Sequence, residues 1–221
     1  ARLMEADYIV LESTYGDRLH GSEDPTTQIG DIVRRTVGRG GTLVVPESRE
    51  ASSSRLIAVP VVRIPARSGG SAEPVFWLEG GPGQSNLSFT QASRFAQTRD
   101  VVLVGYRGID GSVRLDCPEV ASALRQSDRY LTEDSYRRYG DGFRACAKRL
   151  SDTGVDLTGY GLVQQVDDLE AARQALGYGP IDLLSQSAGT RTAMIYAWRH
   201  PGSIHRSVML GVNPPGHFLE S

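Results

Sequence analysis

The amino-acid sequence predicts an α/β fold, with a mostly parallel sheet and flanking helices, and three observations lead to this prediction. Residues 75–78 and 101–105 form two continuous apolar runs, and each ends in a glycine-bearing loop. Such runs are typical of strands that are buried on both faces of a parallel sheet. The third observation is that strand-like and helix-like segments alternate from residue 163 onward, so helical crossovers are expected to join the strands.

The individual elements follow from hydrophobic periodicity and from the positions of glycine and proline. Apolar and β-branched runs predict strands over residues 7–14, 42–45, 55–64, 75–78, 101–105, 181–184 and 207–212. Helical spacing predicts helices over residues 26–37, 133–150, 163–176 and 190–198. Pro60 predicts that the 55–64 strand lies near a sheet edge or contains a bulge. In the 133–150 helix the predicted apolar stripe consists of Phe143, Cys146, Ala147 and Leu150.

Length and charge limit the classes of function. The 221 residues suffice for one sizeable domain, or for one domain with a short appendage. The 24 basic and 26 acidic residues are spread along the chain, so we expect no nucleic-acid partner and no membrane-surface partner. No run of about 18 apolar residues predicts a membrane span, and Glu5 and Asp7 stand where a signal peptide would be apolar. We therefore expect no export signal in this chain, and the compartment stays open.

The two cysteines, Cys117 and Cys146, do not have the spacing of a metal site. Their pattern leaves two alternatives, a pair of buried thiols or a disulfide. We expect no cofactor and no bound metal.

The most informative segment presents Ser187 between an apolar strand and a helix. A serine attacks a carbonyl only when a base takes its proton and when donors stabilise the oxyanion. In a nucleophile elbow the serine has a positive φ, and the residues two positions away are small because strand and helix nearly touch. Ser185 and Gly189 satisfy this size rule around Gln186, and the backbone N–H of Ala188 would be one oxyanion donor.

A second donor is expected from the loop after the 75–78 strand. Residues 79–85 read Glu-Gly-Gly-Pro-Gly-Gln-Ser, and glycines let a backbone approach a substrate closely. Gly81 is the predicted donor. The serine motif by itself also occurs in ordinary strand-to-helix turns. The serine motif and the glycine motif together favour a functional origin.

These motifs resemble the prolyl and tripeptidyl aminopeptidase (TAP-like) group of α/β-hydrolases. The similar segments are 75–85, 100–108, 116–119, 167–171 and the elbow with its following Thr-Arg, and the resemblance covers about residues 41–216. It implies that Ser187 is the nucleophile, that Gly81 and Ala188 form the oxyanion hole, and that Cys117 and Cys146 pair as in exported relatives. The chain departs from this group at Ser185, where glycine is usual.

The same resemblance implies that the acid, the histidine and the substrate-selecting cap follow later strands of the sheet. We therefore expect an incomplete core that holds only the N-terminal part of the hydrolase fold. His200 and His205 flank the far end of the elbow helix and are expected on the surface, away from the serine. His217, in the tail, is the local candidate for an improvised base.

Residues 1–46 resemble a piece of the β-CASP group of metallo-β-lactamase-fold RNA-processing nucleases, through segments 6–20 and 40–46. Glu12 would align with an acidic active-site residue of that group. The His-x-His-x-Asp-His zinc cluster is absent from the sequence, and His20 alone cannot hold a catalytic metal, so we expect no nuclease activity. We expect a β-α-β appendage over residues 1–46 that has no metal motif, with Glu12 as a solvated carboxylate. A truncated hydrolase domain is expected over residues 41–221. Our hypothesis is that the chain is a chimera in which the two pieces are joined near residues 41–46.

The predicted function is a serine hydrolase of the esterase or aminopeptidase type, acting on a small ester or peptide. Its activity is expected to be weak or partner-dependent because the downstream acid and histidine are missing. The alternative is a catalytically inactive chimeric fragment that self-associates through an open sheet edge.

Overall fold

The computed structural model describes residues 9–10, 41–69, 72–126 and 129–214. They contain seven strands: β1 (Ile9–Val10), β2 (Gly41–Pro46), β3 (Leu56–Ile64), β4 (Val75–Leu78), β5 (Val101–Val104), β6 (Ile181–Gln186) and β7 (Ile204–Leu210). The α-helices of this part of the chain are α1 (Ala92–Phe95), α2 (Pro118–Arg125), α3 (Glu133–Asp152), α4 (Leu162–Ala175) and α5 (Gly189–Arg199). Short 3₁₀ turns occur at Leu157–Tyr160 and Pro201–Ser203.

The strands form a mixed sheet in the order β1-β2-β3-β5-β4-β6-β7. Strand β3 runs antiparallel to both of its neighbours, and the other adjacent pairs are parallel. The predicted α/β class with a mostly parallel sheet is confirmed. Every residue of β4 and β5 is buried, as their apolar runs predict, because these strands lie inside the sheet with structure on both faces.

Side chains of the central strands alternate between two packed layers. Phe76 and Leu78 pack in a cluster with residues of α4 and α5, among them Leu169 and Tyr196. Trp77, from the same strand, packs in a second cluster on the side of α1. The strand period of two therefore divides one apolar run between two cores.

The expectation that Pro60 marks an edge or a bulge is wrong. Strand β3 lies between β2 and β5, and its pairing with β2 is continuous through Pro60 opposite Thr42. Pairing with β5 begins only at Val61, so Pro60 lies just beyond the end of that ladder. A proline is tolerated there because its missing N–H leaves the ladder to β5 intact.

The predicted apolar stripe of helix α3 is partly wrong. Cys146 and Leu150 are buried, but Phe143 is exposed and Ala147 only half-buried. Gly142 is buried instead, because α2 crosses α3 there: a Cβ on Gly142 would lie 3.1 Å from the Cα of Val120. The burial of α3 thus depends on a neighbouring helix that periodicity within α3 does not reveal.

Several other predictions differ from the structure or fall outside it. Helices α1 and α2 were not predicted, and β7 begins three residues earlier and ends two residues earlier than expected. Within the predicted 7–14 strand the structure describes Ile9–Val10, which pair in parallel with Leu43 and Val44. The predicted 26–37 helix, Glu12, His20 and His217 lie outside the described residues. Among the helices described, none is both long and apolar enough to span a membrane.

A disulfide joins Cys117, at the N-terminus of α2, to Cys146 in α3, with a Cα–Cα distance of 5.3 Å. It closes a loop with a sequence separation of 29 residues and leaves Cys146 buried. The two helices are therefore fixed to each other covalently as well as by packing.

Removal of this crosslink is expected to destabilise the chain. In the chain-entropy picture a loop of this length stabilises the folded state by roughly 3–4 kcal/mol. The double variant Cys117→Ala/Cys146→Ala should therefore unfold at a lower urea concentration than the wild-type chain. Dithiothreitol should lower the urea midpoint of the wild-type chain and leave that of the double variant unchanged. Detection of two free thiols in the denatured, unreduced wild-type chain would contradict the crosslink.

Candidate active site

Ser187 occupies a sharp turn between the end of β6 at Gln186 and the start of α5 at Gly189. It is the one non-glycine residue of the described ranges with a positive φ, at 47°. Its N–H donates to the Leu210 carbonyl (2.7 Å), and its own carbonyl accepts from the N–H (3.0 Å) and hydroxyl (2.6 Å) of Thr190. A strained backbone persists only where the surroundings hold it, and here three hydrogen bonds do so. The side chain is exposed.

Close backbone contact explains the small residues around this turn. A Cβ on Gly189 would lie 2.3 Å from the Leu78 carbonyl oxygen and 2.8 Å from that of Glu79. A Cβ on Gly80 would lie 2.9 Å from the Cβ of Ser187. The turn that carries Ser187 and the loop after β4 therefore touch, as the two sequence motifs require.

The structure places the two predicted oxyanion donors on either side of this contact. Ala188 immediately precedes α5, and Gly81 follows Gly80 with a φ of 77°. Neither backbone N–H makes a hydrogen bond to another residue in 41–69, 72–126 or 129–214. Both amides are therefore unpaired within that part of the chain, and their role toward a substrate oxygen remains a prediction.

The remaining elbow residues have distinct environments. Ser185 is fully buried, and its hydroxyl donates to the Val208 carbonyl (3.3 Å) on β7. This hydrogen bond satisfies the extra hydroxyl where the resemblance would place glycine. Gln186 is exposed and faces an open cavity.

The loop after β4 is held by residues that the sequence did not indicate. The Tyr106 hydroxyl donates to the Glu79 carbonyl (3.1 Å), and burial, with the Glu79 and Asp110 carboxylates, raises the Tyr106 pKa far above its usual value. The phenol therefore stays protonated and remains a donor. Asp110 in turn accepts from the N–H groups of Tyr106 (2.8 Å) and Asn86 (3.0 Å).

The histidines of the described residues lie away from Ser187. His200 follows the last residue of α5, and its Nε2 is 3.2 Å from an Asp167 carboxylate oxygen. Ser187 and His200 lie at opposite ends of α5, whose 11 residues span about 16 Å. The Nδ1 of His205, near the start of β7, is 2.9 Å from an Asp182 oxygen. Within the described residues the Ser187 hydroxyl has no hydrogen-bond partner, so no base contacts it there.

Helix α5 is fastened to α4 through a buried carboxylate. Glu170 accepts from the Tyr196 hydroxyl (2.6 Å) and from two guanidinium nitrogens of Arg173 (2.6 and 2.9 Å). Burial by itself raises the Glu170 pKa, but the hydrogen bonds and charge of its partners outweigh this effect and lower the pKa from 4.5 to about 2. The helix that follows Ser187 is thus anchored by an ionised group.

The lowered pKa of Glu170 predicts a pH-dependent contribution to stability. A carboxyl with a depressed pKa in the folded state stabilises above its unfolded value and loses this effect as pH falls through the folded value. Glu170→Gln should therefore be less stable than wild type at pH 7, and the gap should narrow as pH falls from about 4.5 toward about 2. Urea midpoints across this range measure the gap, and Glu133→Gln, an exposed carboxylate on α3, is the control. A gap that is constant with pH would contradict the assignment.

A cavity of about 600 Å³ lies beside the elbow, on the α1 side of the sheet. The side chain of Trp77 stacks on Phe89 in its wall, with ring centroids 4.2 Å apart. Gln186 and Glu79 border the cavity, whereas Ser187 does not. The other lining residues are Ser88, Thr90, Gln91, Arg94, Phe95, Leu184 and Leu210.

Strand β7 lies at the end of the sheet order and has an exposed apolar surface. Val208 and Leu210 on this strand, and Val212 two residues after its end, are each about half exposed (53, 49 and 55%). In the part of the chain that the structure describes, β7 has β6 as its only strand partner. That part also holds no group of three or more His, Cys, Asp or Glu side chains suited to a metal ion.

Comparison with known protein families agrees with this architecture. Residues 73–221, more than half of the chain, match the family described as having the alpha/beta hydrolase fold. The chain belongs to the α/β-hydrolase fold family. The glycine loop follows β4 and the serine turn follows β6, and these two strands are parallel neighbours in the sheet.

Relatives of this α/β-hydrolase share limited identity with it. A candidate hydrolase of Escherichia coli (strain K12), YuaR, is 24% identical over an alignment of 163 residues that covers 71% of this chain and 31% of YuaR. The structure is similar to a probable hydrolytic enzyme from Pseudomonas aeruginosa PAO1 (TM-score 0.49, 15% identity, 80% of this chain and 42% of that chain). It is also similar to a candidate alpha/beta hydrolase from Nostoc sp. PCC 7120 (TM-score 0.46, 17% identity, 80% and 45%). This chain therefore spans less than half the length of each.

Proposed function

We propose that this chain carries the nucleophile of a serine hydrolase that acts on small esters or peptides. The observation that carries the proposal is the exposed Ser187 at φ 47°, in a turn packed against the glycine loop. A Cβ on Gly80 would lie 2.9 Å from the Cβ of Ser187. Strain of this kind in a non-glycine residue is concentrated at functional sites. The hydrolase family of the chain supports the same chemistry.

In the proposed reaction the Ser187 oxygen attacks the carbonyl carbon of the substrate, and the hydroxyl proton passes to a base. The carbonyl oxygen becomes an oxyanion, which accepts hydrogen bonds from the N–H groups of Gly81 and Ala188. Collapse of the tetrahedral intermediate breaks the ester or amide bond, and the leaving alcohol or amine takes up the proton. Water then cleaves the acyl-serine in the same way and regenerates Ser187.

Within the described residues no base contacts the Ser187 hydroxyl. Loss of the base from a serine triad removes several orders of magnitude of rate. We therefore propose weak or partner-dependent turnover. The chain spans 31% of the length of YuaR, so any activity of a whole protein that contains this chain is also our proposal.

The finer assignment, to the prolyl and tripeptidyl aminopeptidase (TAP-like) group with esterase or aminopeptidase activity, is supported by its motifs. Two of the matching segments, 100–108 and 167–171, meet through a buried ion pair between Arg107 and Asp168 (2.6 Å). Segment 116–119 carries Cys117 of the disulfide to Cys146. These contacts give three of the matching segments a structural role.

A fluorophosphonate probe is expected to label the wild-type chain and to fail with Ser187→Ala, because the probe reacts with an activated serine hydroxyl. Ser88→Ala, an exposed serine on the neighbouring cavity, is the matched control and should keep wild-type labelling. Hydrolysis of a short acyl ester should follow the same pattern. Equal labelling of wild type and Ser187→Ala would refute the proposal.

The exposed edge of β7 favours a second candidate function, a catalytically inactive chimeric fragment that self-associates. Val208 and Leu210 are half-exposed on β7, whose outer edge has no strand partner within the described residues, and they are suited to pairing with a second copy. Sedimentation velocity should then show a dimer that Val208→Lys dissociates, in a chain that fluorophosphonate does not label.

The chimera hypothesis for residues 41–46, which form β2, is tested by sequencing the source locus on both sides. An uninterrupted gene of this organisation in related genomes would contradict it.

A further inference from the structure

Asn86 is the buried polar residue closest in sequence to the glycine loop, and its amide group is fully used. The residue has no exposed surface. Its Nδ2 donates to the carbonyls of Trp77 (3.0 Å) and Val104 (2.8 Å), and its Oδ1 accepts from the N–H of Glu79 (2.7 Å). Both donors and the acceptor of the side chain are thus committed to backbone groups.

These three backbone groups lie where two parallel strands separate. The register of β4 with β5 ends at Trp77 and Leu103. Beyond this point β4 leads into the glycine loop, and β5 leads toward Tyr106. The Asn86 amide bridges the opening and so extends the hydrogen bonding between the strands by one step.

The contact with Glu79 fixes the start of the glycine loop. The Glu79 N–H is two residues from the Gly81 N–H, and Gly80, between them, touches Ser187. The anchor itself is held, because the Asn86 N–H donates to the Asp110 carboxylate (3.0 Å). One side of the loop is therefore fixed by Asn86 and the other by the serine turn.

We propose that Asn86 is a positioning residue that sets the distance between the Gly81 amide and Ser187. It takes no part in the chemical step and acts only through the backbone of 79–81. This inference rests on the proposed function. A misplacement of about 1 Å in a catalytic group costs on the order of a hundredfold in rate, so an effect of that size is expected.

The test compares Asn86→Ala and Asn86→Asp with Val59→Ala, a core truncation on β3, which β5 separates from β4. The second-order rate constant of fluorophosphonate labelling is measured at a temperature where every variant is folded. Both Asn86 variants should label about a hundredfold more slowly, whereas Val59→Ala should lower the melting temperature and keep the wild-type rate constant. With the ester substrate, kcat should fall more than KM rises.

The pH profile provides a readout that a structural role would not move. A protonated carboxyl at position 86 can donate one hydrogen bond, so labelling of Asn86→Asp, relative to wild type, should rise as pH falls. If the Asn86 variants do not fold, hydrogen exchange of the wild-type chain tests the proposal instead. The Glu79 amide should then exchange as slowly as the amides of β4, although it lies in a loop.

The outcomes separate this inference from the function beneath it. If Ser187→Ala labels as wild type does, the serine hydrolase proposal fails. If wild type labels through Ser187 but the folded Asn86 variants react at the wild-type rate, the positioning role is overturned. Fast exchange at Glu79 would overturn it as well.

Discussion

Gly189→Ala is expected to lower the reactivity of Ser187 about a hundredfold. The added Cβ would lie 2.3 Å from the Leu78 carbonyl oxygen and 2.8 Å from that of Glu79, far inside van der Waals contact. Both obstacles are backbone atoms, one in the last residue of the fully buried strand β4 and one in the residue after it, so they cannot rotate away as a side chain would. The turn or the glycine loop must therefore move apart.

A shift of this size affects both stability and chemistry. Overpacking typically costs about 1–3 kcal/mol, and a displacement of about 1 Å costs roughly a hundredfold in rate. Thermal unfolding and fluorophosphonate labelling measure the two effects. Gly179→Ala is the matched control because a Cβ there meets nothing within 4 Å. Wild-type labelling by Gly189→Ala would show that the elbow and the loop are not in contact.

Asp168→Ala is expected to cause the largest loss of stability. Asp168 accepts two hydrogen bonds from the Arg107 guanidinium, at 2.7 and 2.6 Å, and both side chains are almost completely buried. Arg107 also donates to the carbonyls of Glu47 and Gly159, so it ties β5 to two loops and to α4. Without Asp168 the buried guanidinium loses its counter-charge.

Breaking a buried ion pair by removing one partner costs about 3–5 kcal/mol. Asp141→Ala is the control: this aspartate pairs with Arg144 on the surface of α3, where such pairs are worth about 0–1 kcal/mol. Urea unfolding at pH 7 measures both. Arg49, which also contacts Asp168 (2.6 Å), loses the same partner in this variant. A loss for Asp168→Ala that is no larger than that for Asp141→Ala would contradict the prediction.

The sequence was informative where a local pattern decides the structure. Strands β4 and β5 were predictable because strands with two covered faces are apolar throughout. The turn at Ser187 was predictable because its neighbours must be small, and the structure gives it the positive φ that an elbow requires. These features carry their cause within a few residues.

Patterns failed where the cause lies in a distant segment. Phe143 follows the apolar stripe of α3 but is exposed, because α2 covers a different face of the helix. Pro60 resembles an edge marker, yet its position depends on where β5 ends. Asn86 reads as an ordinary loop asparagine, and its three backbone partners become visible only when β4 and β5 are brought together.

The backbone of Ser187 is fastened to the outermost strand of the described sheet, through its N–H and the Leu210 carbonyl. Fraying usually begins at such a boundary, so the corner that presents the hydroxyl is expected to loosen before the interior of the sheet does. A protein segment that covers this boundary would therefore raise protease resistance and serine reactivity together. The stability of this sheet edge and the position of the Ser187 hydroxyl are therefore expected to change together.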